Sequence, residues 1–320
     1  MSDALLRRTL KALPLAALLT MAATHCAAET TRVSYTAGSV QLLQAEAQRS
    51  VALNPGAAIR SGDEIVSGAG TATLKLDANT ELRLFPGTRL QIVELATAGS
   101  PRVRLLEGKV QTRAQSGDWN PLPVYIETAT AVALTQHSTF TIQASPEATL
   151  VRVTDGTVDF GAPGKAQRIP AGYLARVGTE GHTGVTIRQL PDAPDIEPLP
   201  EVVSTLPLTV RWRGEEAPAY RLDIFETASG EWIGSRKVNG NRFDIGLLDN
   251  GGYQIQVAAL DPSGVAGMPA TVPMEVRLQA RAATLSYPAP GASANDDMPE
   301  FSWQLNGDNE IARDRKSTCL

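Results

Sequence analysis

The sequence is poor in residues that mark several common classes of protein. Only two cysteines and three histidines occur among 320 residues, which argues against a disulfide framework and against a cysteine–histidine zinc site. Aromatic residues make up 5% of the chain, too few to favour an aromatic-lined sugar groove. The formal net charge is -5 and no basic cluster follows the first residues. Nucleic-acid binding through phosphate neutralisation is therefore not expected.

What the sequence does contain is the pattern of many short strands. Its 27 glycines and 21 prolines lie scattered between short apolar runs, as expected for frequent turns. Apolar and polar residues alternate in segments such as 71–76, 103–105 and 157–160. Because side chains alternate between the two faces of a strand, this period of two predicts half-buried strands. We therefore expect an all-β protein.

Residues 1–28 have the pattern of a secretory signal peptide. Arg7, Arg8 and Lys11 precede a short apolar core at 13–23, and cleavage is expected after Ala28. A buried amphipathic helix and a lipoprotein signal at Cys26 are the alternatives. Cleavage would leave no apolar run long enough to cross a bilayer, so we expect no transmembrane segment in the mature chain.

Residues 33–188 are predicted to form one long β domain. Two segments within it resemble each other, 103–110 and 151–158, and each has an acidic residue followed by glycine at its centre. We interpret each as a tight hairpin in which glycine supplies a positive φ. A rolled sheet built from similar hairpins follows from that interpretation.

The remaining chain is predicted to contain a linker and a second domain. Residues 189–200 hold four prolines and acidic residues, which is typical of a semi-rigid extended linker. About seven short strands with regular turns follow in 201–278 and predict an immunoglobulin-like or fibronectin-type sandwich with Trp212 in its core. Residues 282–320 resemble the start of a second such module. We expect one strand there, a disordered charged tail at 313–317, and a chain truncated relative to its natural form.

An ordered series of motifs carries a family resemblance. The blocks are Gly62–Gly68, Ala72–Leu82, Leu105–Val110, Ile126–Val132 and Val151–Val158, followed by Gly172. They span most of residues 35–180, and the series resembles the FecR domain family, named for the periplasmic part of the ferric-citrate transmembrane regulator. The resemblance implies a FecR-like rolled β domain, followed here by the immunoglobulin-like β-sandwich. It also implies an interaction domain in the periplasm or cell envelope of a Gram-negative bacterium, with the cell surface as a further possibility.

The sequence departs from that family in two places. The family usually shows an Arg-Gly-Thr-x-Phe turn, whereas residues 135–140 keep Thr139 and Phe140 but lack the arginine and glycine. The regulator also carries a sigma-factor-binding segment and a membrane helix before its β domain, where this chain has a signal peptide. The resemblance therefore implies a periplasmic interaction domain and does not imply sigma-factor regulation.

No catalytic or metal-binding set is apparent in the sequence, and no cofactor is expected. His137 could act as a base for Ser138, but the side chains of adjacent residues on a strand point to opposite faces of the sheet. Carboxylates near Asp63 and Asp249 could offer oxygens to calcium, although turns explain both better. We expect a protein that is not an enzyme.

The candidate contacts with a partner are a loop and a turn. Trp119 lies in a polar loop, and a loop tryptophan can anchor a partner, although burial over the β domain is the simpler expectation for it. The turn supplies Gln136, His137, Ser138 and Phe140. The expected partner is an envelope protein, peptidoglycan or a surface polymer, and the expected function is interaction or signal sensing. A structural or adhesion stalk is the alternative, and an envelope hydrolase is a third hypothesis.

Overall fold

The computed structural model describes residues 31–95, 99–115, 123–179, 184–214 and 216–278, and the backbone of three strands between 283 and 314. Every regular element in these ranges is a strand, which confirms the all-β class. The predicted signal peptide lies outside the described residues, as does Trp119. None of the described segments forms a helix that is long and apolar enough to cross a membrane.

The first domain contains fifteen strands in two sheets. The strands are β1 (Arg32–Ala37), β2 (Val40–Gln44), β3 (Arg49–Ala52), β4 (Glu64–Ser67), β5 (Thr71–Lys75), β6 (Thr80–Leu84), β7 (Thr88–Glu94), β8 (Arg102–Ala114), β9 (Val124–Glu127), β10 (Val132–Thr135), β11 (Ser138–Ala144), β12 (Ala148–Gly161), β13 (Gln167–Pro170), β14 (Tyr173–Gly178) and β15 (Thr186–Gln189). Sheet A has the order β1-β5-β6-β8-β11-β12-β14-β15. Sheet B has the order β3-β2-β4-β7-β8-β9-β10-β12-β13. All pairs are antiparallel except β8 with β9.

Two long strands, β8 and β12, belong to both sheets and join them. Strand β8 pairs with β7 of sheet B up to Glu107 and with β11 of sheet A from Gly108 onward. Strand β12 pairs with β14 up to Val153 and with β13 from Thr157. The predicted hairpins at these two sites are therefore wrong, because each segment is one continuous strand that bends. Strands that switch sheets at a bend form the corners of a closed sandwich.

Glycine is required at both bends. Gly108 has a φ of 92° and Gly156 a φ of 71°, so the predicted positive φ is confirmed. A Cβ atom at Gly108 would lie 2.5 Å from the carbonyl oxygen of Gly87, and one at Gly156 would overlap the carbonyl oxygen of His137. The neighbouring strand thus approaches too closely for any side chain.

The core of the first domain fills the space between the sheets. Its side chains come from alternate strand positions, as the period of two predicts. Leu74, Leu82, Leu105, Phe140 and Phe160 are among the residues that are fully buried there. Each such side chain stabilises the fold by about 1.5–3 kcal/mol through removal of apolar surface from water.

The buried carboxylate of Asp63 gives the motif Gly62–Gly68 a structural role. Its side chain is buried, and its two carboxylate oxygens accept hydrogen bonds from the backbone N–H groups of Ala45 (3.0 Å) and Arg60 (2.9 Å). Gly62, just before it, has a φ of 93°. The motif therefore closes the turn before β4 and ties it to the loop after β2.

The second domain is a sandwich of eight strands. They are β16 (Asp195–Ile196), β17 (Val202–Val203), β18 (Leu208–Arg213), β19 (Ala219–Glu226), β20 (Trp232–Val238), β21 (Arg242–Ile245), β22 (Gly251–Leu260) and β23 (Ala266–Val276). A sheet of order β16-β18-β21 faces a sheet of order β17-β23-β22-β19-β20. Trp212 is 1% exposed and meets Tyr220 edge-on at 5.4 Å between ring centroids. The immunoglobulin-like sandwich with a tryptophan core is therefore confirmed.

The segment predicted to be a linker is packed against both domains. The backbone N–H of Leu190 donates to the carbonyl of Gly172 at 2.8 Å. One residue later, the carbonyl of Pro191 accepts from Met268 of the sandwich at 2.8 Å. Strand β16 then pairs with β18. The prolines do keep the chain extended, but the segment is a bridge with fixed contacts.

The segment after the sandwich contains more strand than we expected. Strands β24 (Ala283–Tyr287), β25 (Phe301–Leu305) and β26 (Ile311–Asp314) form a three-stranded antiparallel sheet. The expectation of one strand is therefore wrong. Arg313 and Asp314, assigned to a disordered tail, belong to β26.

Candidate functional site

The outer face of sheet A is polar and is covered by the second domain. Along β8 and β11 the outward positions alternate with buried residues such as Val110, Phe140 and Ile142. The outward residues of these two strands are Lys109, Gln111, Arg113, Thr139, Thr141 and Gln143. Strands β19, β22 and the start of β23 lie opposite them, because residues of both groups line one cavity.

Arg152 is the most deeply buried cation of this junction. It lies on β12, is 8% exposed, and its Nη1 donates to the carbonyl oxygens of Ala266 (3.2 Å) and Gly267 (2.9 Å) in the sandwich. Burial of a charge is costly unless hydrogen bonds compensate for lost water. The two carbonyls provide that compensation, so Arg152 links the two domains.

A second contact between the domains centres on Arg83 of β6. Its Nη2 donates to the carbonyl of Gly230 at 2.6 Å, and its guanidinium lies 4.8 Å from the centroid of the Phe225 ring. Nearby, Phe85 meets Trp232 edge-on at 5.7 Å. This edge of the junction therefore combines a cation–π contact with an aromatic pair.

Two further pairs join the domains at the margins. Burial and a hydrogen bond to Glu231 raise the pKa of Tyr35, which lies on β1. Arg188 of β15 forms an ion pair with Asp261, in the turn between β22 and β23. The junction is therefore held at several separate points, and the domains meet as two facing sheets.

A cavity of about 270 Å³ remains between the two sheets. Charged groups from both domains line it: the cations Lys109, Arg113, Arg152 and Arg221, and the carboxylates Asp155 and Asp223. The hydroxyl-bearing residues Thr139, Thr141 and Thr154 add further polar groups to the wall. Cations therefore outnumber carboxylates in its wall.

One of these carboxylates is engaged by a cation of the same wall, which leaves three cations and Asp155. Asp223 accepts hydrogen bonds from Arg221 Nε (2.7 Å) and Trp232 Nε1 (3.4 Å). Within the described part of the chain, Lys109, Arg113 and Arg152 form none of the ion pairs. Lys109 Nζ instead lies 4.4 Å from the centroid of the Phe85 ring.

The pKa values of two cavity cations reflect this environment. Burial, and then repulsion from Arg221, lower the pKa of Lys109 to about 8. The same two causes lower the pKa of Arg152 to about 10. Burial and repulsion between the cations, partly offset by Asp223, therefore disfavour the charged forms of both side chains. The arrangement can bind and orient an anion.

The structure separates the residues that the sequence suggested as contacts. Gln136 and His137 are exposed in the turn between β10 and β11. Ser138 and Phe140 are each 1% exposed, so their side chains cannot reach a partner at the surface. Ser138 shares a hydrogen bond with Thr135 at 2.8 Å, which closes the turn. The contact predicted at this turn is reduced to Gln136 and His137.

The sequence did not predict the cavity, although it contains a pattern that is related to the cavity wall. Lys109, Gln111 and Arg113 are polar at alternate positions of a strand, which marks a solvated face in an isolated sheet. Nothing local distinguishes such a face from one that a second domain covers. Among the described residues, no group of three or more histidine, cysteine, aspartate or glutamate residues is placed to hold a metal ion.

One comparison with known proteins matches part of the first domain. Residues 63–159 match the family model described as "FecR protein". No curated protein sequence matches the chain. A crystal structure described as a "putative anti-sigma factor" from Parabacteroides distasonis is 20% identical, with a TM-score of 0.34, and covers 39% of this chain. This chain spans 59% of that protein.

Fibronectin(III)-like modules of CbhA from Clostridium thermocellum are 15% identical, with a TM-score of 0.21, and cover 56% of this chain and 90% of their own. At these scores the solved structures add no argument about function. The family model is the specific finding, and it lies within the domain that carries the Asp63 turn and the bends at Gly108 and Gly156. Residues 63–159 of this chain therefore match the FecR family model, and an immunoglobulin-like sandwich follows the domain that contains them.

Proposed function

We propose that this chain is a non-enzymatic protein of the cell envelope that takes part in signal sensing by binding a protein or a cell-wall polymer. The observation that carries the proposal is the match of residues 63–159 to the FecR family. The predicted signal peptide at 1–28 supports an exported location, with the Gram-negative periplasm as the proposed compartment. In this role the chain would receive a signal and pass it on through contacts.

The proposed contact surface is the turn at Gln136 and His137, together with Trp119, which the sequence predicts to lie in a loop. The turn is exposed, and Thr139, two residues after His137, lines the cavity between the domains. A partner at the turn would therefore lie beside the junction, where it could sense how the domains are docked. Surface turns on a rigid sheet are common sites of recognition.

The test is capture of a partner on the immobilised full chain. Envelope extract and purified peptidoglycan are offered separately, and retained proteins are identified and then tested again in purified form. We expect one partner to bind, and the double variant Gln136→Ala/His137→Ala, or Trp119→Ala, to weaken binding roughly tenfold. Lys165→Ala, at an exposed turn of the same domain, should bind like the unmodified chain.

Two results would contradict the proposal. One is no binding from either fraction by a chain that is folded and monomeric. The other is equal binding by the variants and the control. A stalk or adhesion role would then be favoured, because β24–β26 form a further sheet beyond the sandwich and such modules can act as spacers.

A further inference from the structure

The cavity between the two domains has features of a ligand site rather than of a simple gap. Its volume of about 270 Å³ suits a small molecule, and ligand sites occur preferentially at domain interfaces. Both domains contribute to its wall. A molecule held there would contact β8, β11 and β12 on one side and β19 and β22 on the other.

The charged side chains of the cavity wall determine which class of molecule can bind there. Lys109, Arg113 and Arg152 approach from the first domain and Arg221 from the second. Asp223 is engaged by Arg221 and Trp232, and Asp155 is exposed at the margin. Among the described residues, Lys109, Arg113 and Arg152 form no ion pair.

Holding the domains together accounts for only part of this charge. Arg152 donates to two carbonyls of the sandwich through Nη1, which explains its burial. Lys109 and Arg113 make no hydrogen bond to the other domain among the described contacts. A junction that needed only adhesion would be better served by a neutral side chain at the half-buried Lys109, because uncompensated buried charge is destabilising. The exposed Arg113 adds positive charge at the margin that adhesion does not use.

We propose that this cavity binds a small multivalent oxyanion, held between Lys109 and Arg113 of the FecR domain and Arg221 of the sandwich. Guanidinium groups match the geometry of carboxylates and phosphates and bind either through paired hydrogen bonds. The hydroxyls of Thr139 and Thr141 offer further donors, whereas that of Thr154 already donates to the carbonyl of Thr139 at 2.9 Å. The ligand class is therefore a dicarboxylate or a phosphate.

Such a ligand would stabilise the docked arrangement, because its binding groups come from both domains. A ligand that binds only the folded, docked state raises the unfolding temperature as its concentration increases. This inference goes beyond the proposed partner binding and does not depend on it. The test of oxyanion binding uses no partner, so a negative result there would not contradict the proposed partner binding, and the reverse also holds.

The experiment measures thermal unfolding and calorimetric titration of the full chain with inorganic phosphate and, separately, with succinate. Acetate serves as the monovalent control, and sodium chloride holds the ionic strength constant. Concentrations stay at or below about 5 mM, because concentrated phosphate stabilises most folded proteins without a site. We expect saturable binding of phosphate or succinate, with a higher unfolding temperature, and no effect of acetate. The two arms identify which oxyanion the site prefers.

Variants test whether the cavity is the site. Lys109→Gln and Arg113→Gln should each weaken binding about tenfold, whereas Lys75→Gln, an exposed charge on β5 outside the cavity, should not change it. Arg113 is exposed at the cavity margin, so its variant should fold even if that of Lys109 does not. No saturable binding by the folded chain, or equal binding by Arg113→Gln and Lys75→Gln, would overturn the proposal.

Discussion

Lys109 is a side chain whose properties are set by the domain on the other side of the junction. Its ammonium group packs on the Phe85 ring and faces Arg221 and Asp223 of β19, with Arg152 beside it on β12. Burial and the repulsion from Arg221 together outweigh the attraction to Asp223, and its pKa falls from 10.5 to about 8. The charged form of Lys109 therefore opposes folding.

We predict that the free energy of unfolding rises with pH between about 8 and 10.5 because of Lys109. In this window the unfolded chain holds a proton on Lys109 that the folded chain has released, so raising the pH favours the folded state. Below about pH 8 both states are protonated and the contribution is constant. Urea unfolding of the full chain at a series of pH values would measure it. Lys109→Gln should lose this rise, and an unchanged pH profile in the variant would show that Lys109 is not responsible.

At the scale of elements, the two bent strands determine how the first domain closes. Strands β8 and β12 each hydrogen-bond with sheet A on one side of a glycine and with sheet B on the other. The bend requires a positive φ, and the neighbouring chain leaves no room for a Cβ atom. Gly108 and Gly156 each meet both requirements, so a side chain at either position should cause backbone strain and steric overlap with the neighbouring chain.

We predict that Gly108→Ala and Gly156→Ala destabilise the full chain by about 3 kcal/mol or more, since they combine backbone strain with steric overlap. Gly164→Ala is the matched control. Gly164 has a φ of 77°, but no atom lies within 4 Å of the place that an alanine methyl group would occupy, so the loss there should be about 1 kcal/mol. Urea unfolding would compare all three. Equal losses would mean that the close approach of the neighbouring strand contributes nothing.

The same elements show which parts of the fold the sequence could predict. Alternation correctly indicated the strands, and the repeated acidic residue and glycine correctly indicated a positive φ at Gly108 and Gly156. Whether such a glycine ends a strand or bends it depends on partners far away in sequence, such as β11 for β8. Local patterns carry no information about those partners, and the hairpin interpretation failed for that reason.

The candidate site was harder to predict, because it exists only in the assembled molecule. Gln136 and His137 can be recognised from a local turn pattern, whereas Phe140 alternates with Thr139 and Thr141 on a strand and points into the core. The cavity needs two domains in contact, and the segment 189–200, which looks like a spacer, fixes that contact through Pro191. A charged outer strand face followed by a short proline-rich bridge is the pattern to look for in related chains.

For the whole molecule, the contacts of Arg83 and Arg152 should make the two domains unfold together. If the sandwich unfolded alone, Arg152 would lose the carbonyls of Ala266 and Gly267, and Arg83 would lose that of Gly230. Interfaces between domains are otherwise often loose enough for independent motion. Coupled unfolding of these two β domains is therefore a consequence of the polar junction.

We predict a single cooperative transition for residues 31–278 in calorimetry of the full chain, with hydrogen exchange lost together in β12 and β22. The double variant Arg83→Ala/Arg152→Ala should separate the transitions, so that the two strands lose protection at different temperatures. Arg168→Ala, an exposed side chain paired with Asp159 of the same domain, should leave them coincident. If the unmodified chain already shows two transitions, or the double variant still shows one, these two arginines do not couple the domains, and the cavity between them would then lack the fixed walls that a ligand site requires.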